Sequence, residues 1–482
     1  MLGDVPELEM PEPQPFFFLE YHGTFHPSAI ALSTYARDFT YAETLAYAKS
    51  IAALLRRRGV RPGDVVAVNV PDELNLFFMQ ALLHEAAIWC SAPRTLEDST
   101  LELFDWMLAP ALIDGFDTDR TILIDDEFMT RVAAAEHSDE PRRYDDFDSV
   151  CRISFSSGTT GVPLAIPSTV AHQARPAVGW LESRPFFSLI KGFSGSGMKA
   201  AIASVLHGDT YICPGTPEEN ITLAQRNYVA TLQGSPAQLA EFIELFERRE
   251  DRRSDIATVE FIGSFLSEAL LAKVRDVLGA SVTACYGSTE VGMISVRHNV
   301  TDNPADVGVP LAHVTVEIVD NDGQPVAAGA EGIVRVRTTR REPTYFRTGP
   351  HDVIRDGWFY PGDLGRLRPD GHLVLAGRAS EVINAGGVKF SPDRVEGALA
   401  ACEGVRDGAI IPFESPEGLS GYAAVVVCED GFDLGTLIEP LRDACGGANP
   451  VSIFRVEHVE RDDNGKVRRR ELAARIHSLL AR

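Results

Sequence analysis

The chain has 482 residues, 45% of them hydrophobic, more than one hydrophobic core usually organises, so two or more domains are expected. Its formal charge is −24, from 45 basic and 69 acidic residues, which argues against nucleic acid as a general partner but leaves room for a local positive pocket. No run of about 18 apolar residues occurs, so no membrane partner is expected. The start MLGDVPELEMPEPQPFFF is acidic and Pro-rich, without the basic flank and apolar stretch of a signal peptide, and a cytoplasmic location is expected. The cysteines are scattered and form no CxxC pair, so free thiols are expected rather than structural zinc.

Along the chain, helix-period and strand-like segments alternate through the first 300 residues. Thr40-Tyr41-Ala42-Glu43 reads as a capping box, after which Leu45, Ala48, Ala52 and Leu55 recur on one helix face until Gly59. Val65–Val70 reads as a buried strand and Leu74–Trp89 as an apolar helix. Val259–Ile262 reads as a strand, Ser267 caps a helix reaching Gly279, and Val282–Cys285 is the next strand. Such alternation predicts helices packed on largely parallel sheets. Residues 300–376 change character, with short strands (Val314–Val319, Gly332–Arg337, Gly371–Leu375) separated by Asn-Asp-Gly and Pro-Asp-Gly turns.

A compact unit follows from about residue 380. Ser391-Pro392 starts a helix, Gly408–Ile411 and Tyr422–Val427 read as strands, a helix lies near 434–445 and a strand near 451–456, and a terminal helix begins near 469. The fold class predicted is a large N-terminal α/β domain over 1–379, with a β-rich subdomain at about 300–376. A small α+β domain over 380–482 completes it.

Four segments carry candidate chemistry. Ser156-Ser157-Gly158-Thr159-Thr160-Gly161 follows the strand-like Ile153–Phe155; its glycines allow a phosphate to approach the backbone, while hydroxyls and N–H groups donate. It is not a Walker A loop, because Gly-Lys-Ser/Thr is missing, and a flexible linker is the plain alternative. Tyr286-Gly287-Ser288-Thr289-Glu290 places a carboxylate and hydroxyls at a strand end, where they suit Mg²⁺ and a phosphate oxygen, although a solvated turn Glu is commoner. Tyr360-Pro361-Gly362-Asp363, with Gly377-Arg378, suits a ribose held by a carboxylate and a guanidinium. Asn464-Gly465-Lys466 opens a basic stretch that alone reads as a solvated helix start.

Taken in order, SSGTTGxP, YGSTE, YPGD, GR followed by Gly386-Gly387, and a terminal NGK resemble the core motifs of the ANL superfamily of adenylate-forming enzymes. That superfamily contains acyl-CoA synthetases, luciferases and peptide-synthetase adenylation domains, and the resemblance spans nearly the whole chain. It implies that a carboxylate attacks the α-phosphate of ATP with Mg²⁺ present, after which the small domain rotates and the thiol of CoA displaces AMP from the acyl-AMP. By this resemblance Glu290 holds the metal, Thr289 contacts the α-phosphate, and Asp363 and Arg378 hold the ribose. Tyr286 lies by the adenine with Gly263-Ser264-Phe265. Lys466 stabilises charge in the first step, Gly386 and Gly387 line the pantetheine tunnel, and Ser380 is the mobile domain's hinge. The acyl pocket is expected around Phe187 and the small-residue segment with Gly192, Gly195 and Gly197, suiting a bulky carboxylic acid unless those residues serve only helix packing.

Three departures from the family pattern stand out. The phosphate loop ends Pro163-Leu164-Ala165 where the family has Pro-Lys-Gly, and losing a charge-assisted contact there costs roughly 1.5–3 kcal/mol, about one to two decades in rate. Ser380 replaces the usual hinge Asp or Lys. Phe187-Ser188 offers no Asp for an α-amino group, which argues against amino-acid substrates. Two readings stay open: a complete two-step ligase, and one that thioesterifies an adenylate made by a separate adenylating enzyme. The latter resembles the non-adenylating acyl-CoA ligase of platensimycin- and platencin-type biosynthesis. Alternatives are an enzyme loading an acid onto a carrier-protein thiol, and an inactive adenylate-binding relative.

Overall fold

The computed structural model describes residues 14–92, 98–134, 140–156, 164–173, 185–191, 195–263, 266–338, 346, 353–385, 388–414, 420–461 and 467–480. Two α/β layers build the larger part. In the first sheet, Thr121–Leu123, Trp106–Ala109, Val65–Val68, Ile88–Ser91 and Val150–Ser156 run parallel, and Leu164–Thr169 closes the edge antiparallel. In the second, Phe186–Ser188, Thr231–Gly234, Thr258–Ile262 and Ser281–Ser288 are parallel, and Gly292–Arg297 folds back antiparallel. Strands buried on both faces read as continuous apolar runs, and Val65–Val68 is such a strand.

The capping signals at Thr40 and Ser267 form as written. Thr40 and Glu43 make the reciprocal capping box of helix Tyr41–Arg58, and Gly59 ends it at φ +105°. Ser267 accepts from the Leu270 N–H at the start of the helical run that closes at Gly279. One expected helix is corrected. The helix predicted over Leu74–Trp89 spans Asp72–His84, and Ile88–Ser91 is a strand. Ala86 adopts φ +53°, which breaks the helix, and Val65–Val68 then takes the apolar remainder as a parallel neighbour. A short apolar run suits a buried helix or a buried strand equally well.

The β-rich region is an antiparallel sheet with Val314–Val319, Gly332–Thr338, Asp363–Leu367 and Leu373–Arg378. Its last strand begins at Leu373 rather than Gly371, because Gly371, at φ +85°, belongs to the preceding turn. Beyond it, Val405–Glu414 and Ser420–Cys428 pair antiparallel, with Ser452–Arg455 parallel on the outside. Helices Pro392–Ala400 and Ile438–Ala444 cover one face over a core with Val395, Leu399 and Leu441, and helix Arg469–Leu480 covers the other through Leu472 and Ile476. Ser391 precedes its helix as expected, but its Oγ donates to Asp393 Oδ2 at 3.4 Å instead of accepting from the helix N–H groups.

Candidate active site

The second sheet delivers Tyr286, Gly287 and Ser288 at the end of strand Ser281–Ser288, and Thr289-Glu290 form the turn into Gly292–Arg297. This hairpin, with Gly263 at the end of the neighbouring strand, lines a cleft of about 2850 Å³. Asp363, Arg378 and Ser380 line the same cleft, and Lys389, Ser391 and Asp393 face it from the C-terminal unit. Ordinary ligand pockets hold about 300–1,000 Å³, so this is an open cleft with room for a large acyl-nucleotide.

Asp363 and Arg378 meet because they are register partners on adjacent antiparallel strands. Arg378 Nε lies 3.0 Å from Asp363 Oδ1, and Tyr286 Oη donates to Asp363 Oδ2 at 2.5 Å. Arg378 Nη1 also donates to the Pro361 carbonyl at 2.6 Å, tying the strand end to the Tyr360–Asp363 turn. Burial, then the Asp363 charge, pushes the Tyr286 phenol well above its ordinary value, so it stays a donor at any working pH. A carboxylate offers about four acceptor positions, a chemistry that suits a pair of vicinal hydroxyls.

Beside these groups, Cys285 lines the cleft, but burial followed by the Glu260 charge raises its thiol far up, which removes it as a nucleophile. Leu164, where the resembling family has Lys, is the first residue of strand Leu164–Thr169 and lines the cleft. Ala165 is fully buried, and its carbonyl accepts from the Phe346 N–H at 2.9 Å. Its methyl packs in the core of the first sheet with Phe104 and Ile153.

The acyl-pocket expectations divide. Phe187 is corrected to a core residue: it is fully buried with Leu232 and Val259 on the helix-covered face of its sheet, while Ile190, three residues on, lines the cleft. Gly195 opens helix Gly195–His207. At Gly197 a Cβ would sit 2.1 Å from the Lys191 carbonyl oxygen, so its smallness serves close packing, as the plainer alternative had it. Gly192, Ser157, Gly158, Thr159, Thr160, Gly161, Ser264, Phe265, Gly386, Gly387 and Lys466 lie outside the described residues, as does the side chain of Ser156. Sequence reading missed Arg152, His172 and Lys199, which also line the cleft. Arg152 is 3% exposed, and its Nη2 donates to Ser168 Oγ at 3.3 Å. An arginine inside a strand carries no motif, and only its place beside the Ser156 loop hinted at a role.

Residues 19–346 match the family model described as AMP-binding enzyme. The chain belongs to that family. Among relatives of this AMP-binding enzyme, the 2-hydroxy-7-methoxy-5-methyl-1-naphthoate–CoA ligase of Streptomyces carzinostaticus is 24% identical over 84% of this chain and 82% of its own length. A medium/long-chain-fatty-acid–[acyl-carrier-protein] ligase of Mycobacterium tuberculosis is 27% identical over 66% of this chain and 65% of its own. The solved anthranilate CoA ligase in complex with anthranoyl-AMP superposes with a TM-score of 0.83 at 20% identity, covering 97% of this chain and 98% of the other. At that identity the superposition establishes the fold. The expected fold class, a large α/β part followed by a smaller α+β part, is borne out by it. No described helix is long and apolar enough to cross a membrane.

Proposed function

We propose that this AMP-binding enzyme is an acid–thiol ligase that converts an acyl-adenylate and CoA to acyl-CoA and AMP. The observation carrying the proposal is the Tyr286–Asp363–Arg378 constellation, which presents a buried carboxylate to the cleft that also holds Thr289 and Glu290. In this reading Asp363 takes the two ribose hydroxyls, Arg378 holds the carboxylate and closes over the sugar, and Tyr286 fixes the other oxygen. Ser288 and Thr289 donate to the α-phosphate. The donor set suits magnesium, which takes one or two carboxylates plus phosphate oxygens. Glu290 would supply the carboxylate, and the ion would neutralise charge on the phosphates of ATP.

Lys466 would stabilise the pentavalent α-phosphate, Ser380 would be the pivot between the 1–379 and 380–482 domains, and Gly386-Gly387 would admit the thiol arm. The relative that activates a substituted naphthoate supports a bulky aromatic acid as substrate. Leu164 in the cleft, in place of a cation, supports a second, finer reading in which the adenylation half-reaction is weak and a separate enzyme supplies the adenylate. The carrier-protein ligase among the relatives keeps a protein-borne thiol as the alternative acceptor.

The deciding experiment uses a panel of aromatic and polycyclic acids in two arms. One supplies acid, ATP, Mg²⁺ and CoA; the other supplies prepared acyl-AMP and CoA. Thioester in both arms establishes a full ligase, and thioester only from acyl-AMP establishes the second reading. Thioester in neither arm, with no transfer to carrier protein, sinks the proposal.

A further inference from the structure

A charged cluster that none of the motifs assigns lies where the chain leaves the Ser380 turn. Arg469 is the first residue of the terminal helix, three positions after Lys466, and its side chain is 13% exposed. All five of its N–H donors are used. Nε donates to Glu381 Oε2 at 3.1 Å, and Nη2 to Asp393 Oδ1 and Glu396 Oε2 at 3.2 Å each. Nη1 donates to Glu396 Oε1 and to the Ile410 carbonyl, and Glu396 accepts in turn from the Ile410 N–H at 2.8 Å. One guanidinium thus joins the turn Ala379–Glu381, helix Pro392–Ala400, strand Val405–Glu414 and the start of the terminal helix.

The cluster also reaches the nucleotide side of the cleft. Ser391 Oγ bonds Asp393 and sits where Gly377, the residue before Arg378, would carry a Cβ; the distance would be 1.9 Å. The missing side chain at Gly377 is what lets the helix start dock against the strand that carries Arg378. A fork with five donors fixes the directions of several partners at once, which a lysine's point charge does not.

We infer that Arg469 is the positioning residue that makes the exit of the hinge, the docking face at Ser391 and the start of the terminal helix, three residues after Lys466, one rigid body. Any rotation at Ser380 is then confined to the bonds before Glu381, and Lys466 is carried by that rotation instead of drifting separately. The inference rests on the proposed roles of Ser380 and Lys466.

The test uses the full chain with Glu381→Gln and Arg469→Lys. Glu381 is the most exposed partner, with its side chain 39% accessible, so Glu381→Gln leaves the contacts to Asp393 and Glu396 and should keep the wild-type melting temperature. Two readouts are taken: amide exchange of the 379–385 peptide, and the rates of acyl-AMP formation and of thioester formation from supplied acyl-AMP. Glu381→Gln should speed hinge exchange by about two- to fivefold, the worth of a partly exposed ion pair, and shift the ratio of the two half-reactions. Arg469→Lys should do more in the same direction. Unchanged hinge exchange in both variants overturns the inference, as does an unchanged rate in every half-reaction the wild type performs. If exchange rises while the wild type turns over neither substrate, the clamp stands and the proposed function fails.

Discussion

Replacing Asp363 by Asn isolates the charge on which the proposed ribose site depends. The residue is 7% exposed, and its carboxylate accepts from Tyr286 Oη at 2.5 Å and pairs with Arg378 Nε at 3.0 Å. Asn keeps the shape and one acceptor. With Oδ1 turned toward Arg378, its amide donates to Tyr286, whose hydroxyl is free to accept. The strand pair should therefore stay folded, with a change of only a few degrees in melting temperature. A nucleotide loses a charge-assisted acceptor for its ribose, worth about 1.5–3 kcal/mol, which corresponds to roughly 10- to 150-fold in Kd. Calorimetric titration with AMP and with a non-hydrolysable acyl-sulfamoyl-adenosine should show both weakened by similar factors, because the sugar is common to them. An AMP affinity within threefold of wild type would refute the assignment of Asp363 to the ribose.

Three further outcomes are expected. Leu164→Lys/Ala165→Gly should raise acyl-AMP formation by about one to two decades and lower stability by about 1 kcal/mol, since Ala165 is buried in a strand; an unchanged adenylation rate would make the loop's departure neutral. Ser380→Pro should restrict the proposed pivot and strongly slow one half-reaction, and equal retention of both would put the pivot elsewhere. Burial, then the Glu396 charge, raises the Asp393 carboxyl from 3.8 to about 7, with Arg469 pulling the other way. The folded chain then binds more protons than the unfolded one across that window. The contribution of Asp393 is in place below its unfolded value and is lost as pH rises through about 7. Asp393→Asn should accordingly gain melting temperature on wild type between pH 5 and pH 8, and a pH-independent difference would contradict that sign.

The sequence by itself determined the elements whose causes are local. The Thr40–Glu43 box, the Ser267 cap, the Gly279 stop and the strand Val314–Val319 depend on side chains within a few residues of one another, so the chain forms them as written. It also determined the family, because SSGTTGxP, YGSTE, YPGD and NGK are short segments in fixed order. Tertiary structure decided the rest, because pairing across the chain leaves no local mark. A parallel neighbour made Ile88–Ser91 a strand, strand register set Asp363 opposite Arg378, and packing against the core of the β-rich region brought Tyr286 from 77 residues away. Phe187 went to the core because alternate strand positions face opposite sides, and its own face packs with Leu223, Phe242 and Leu271 of the covering helices. Arg469 read as one of three adjacent arginines at a helix start; burial among Glu381, Asp393 and Glu396 singled it out, since a desolvated cation persists only where carboxylates surround it.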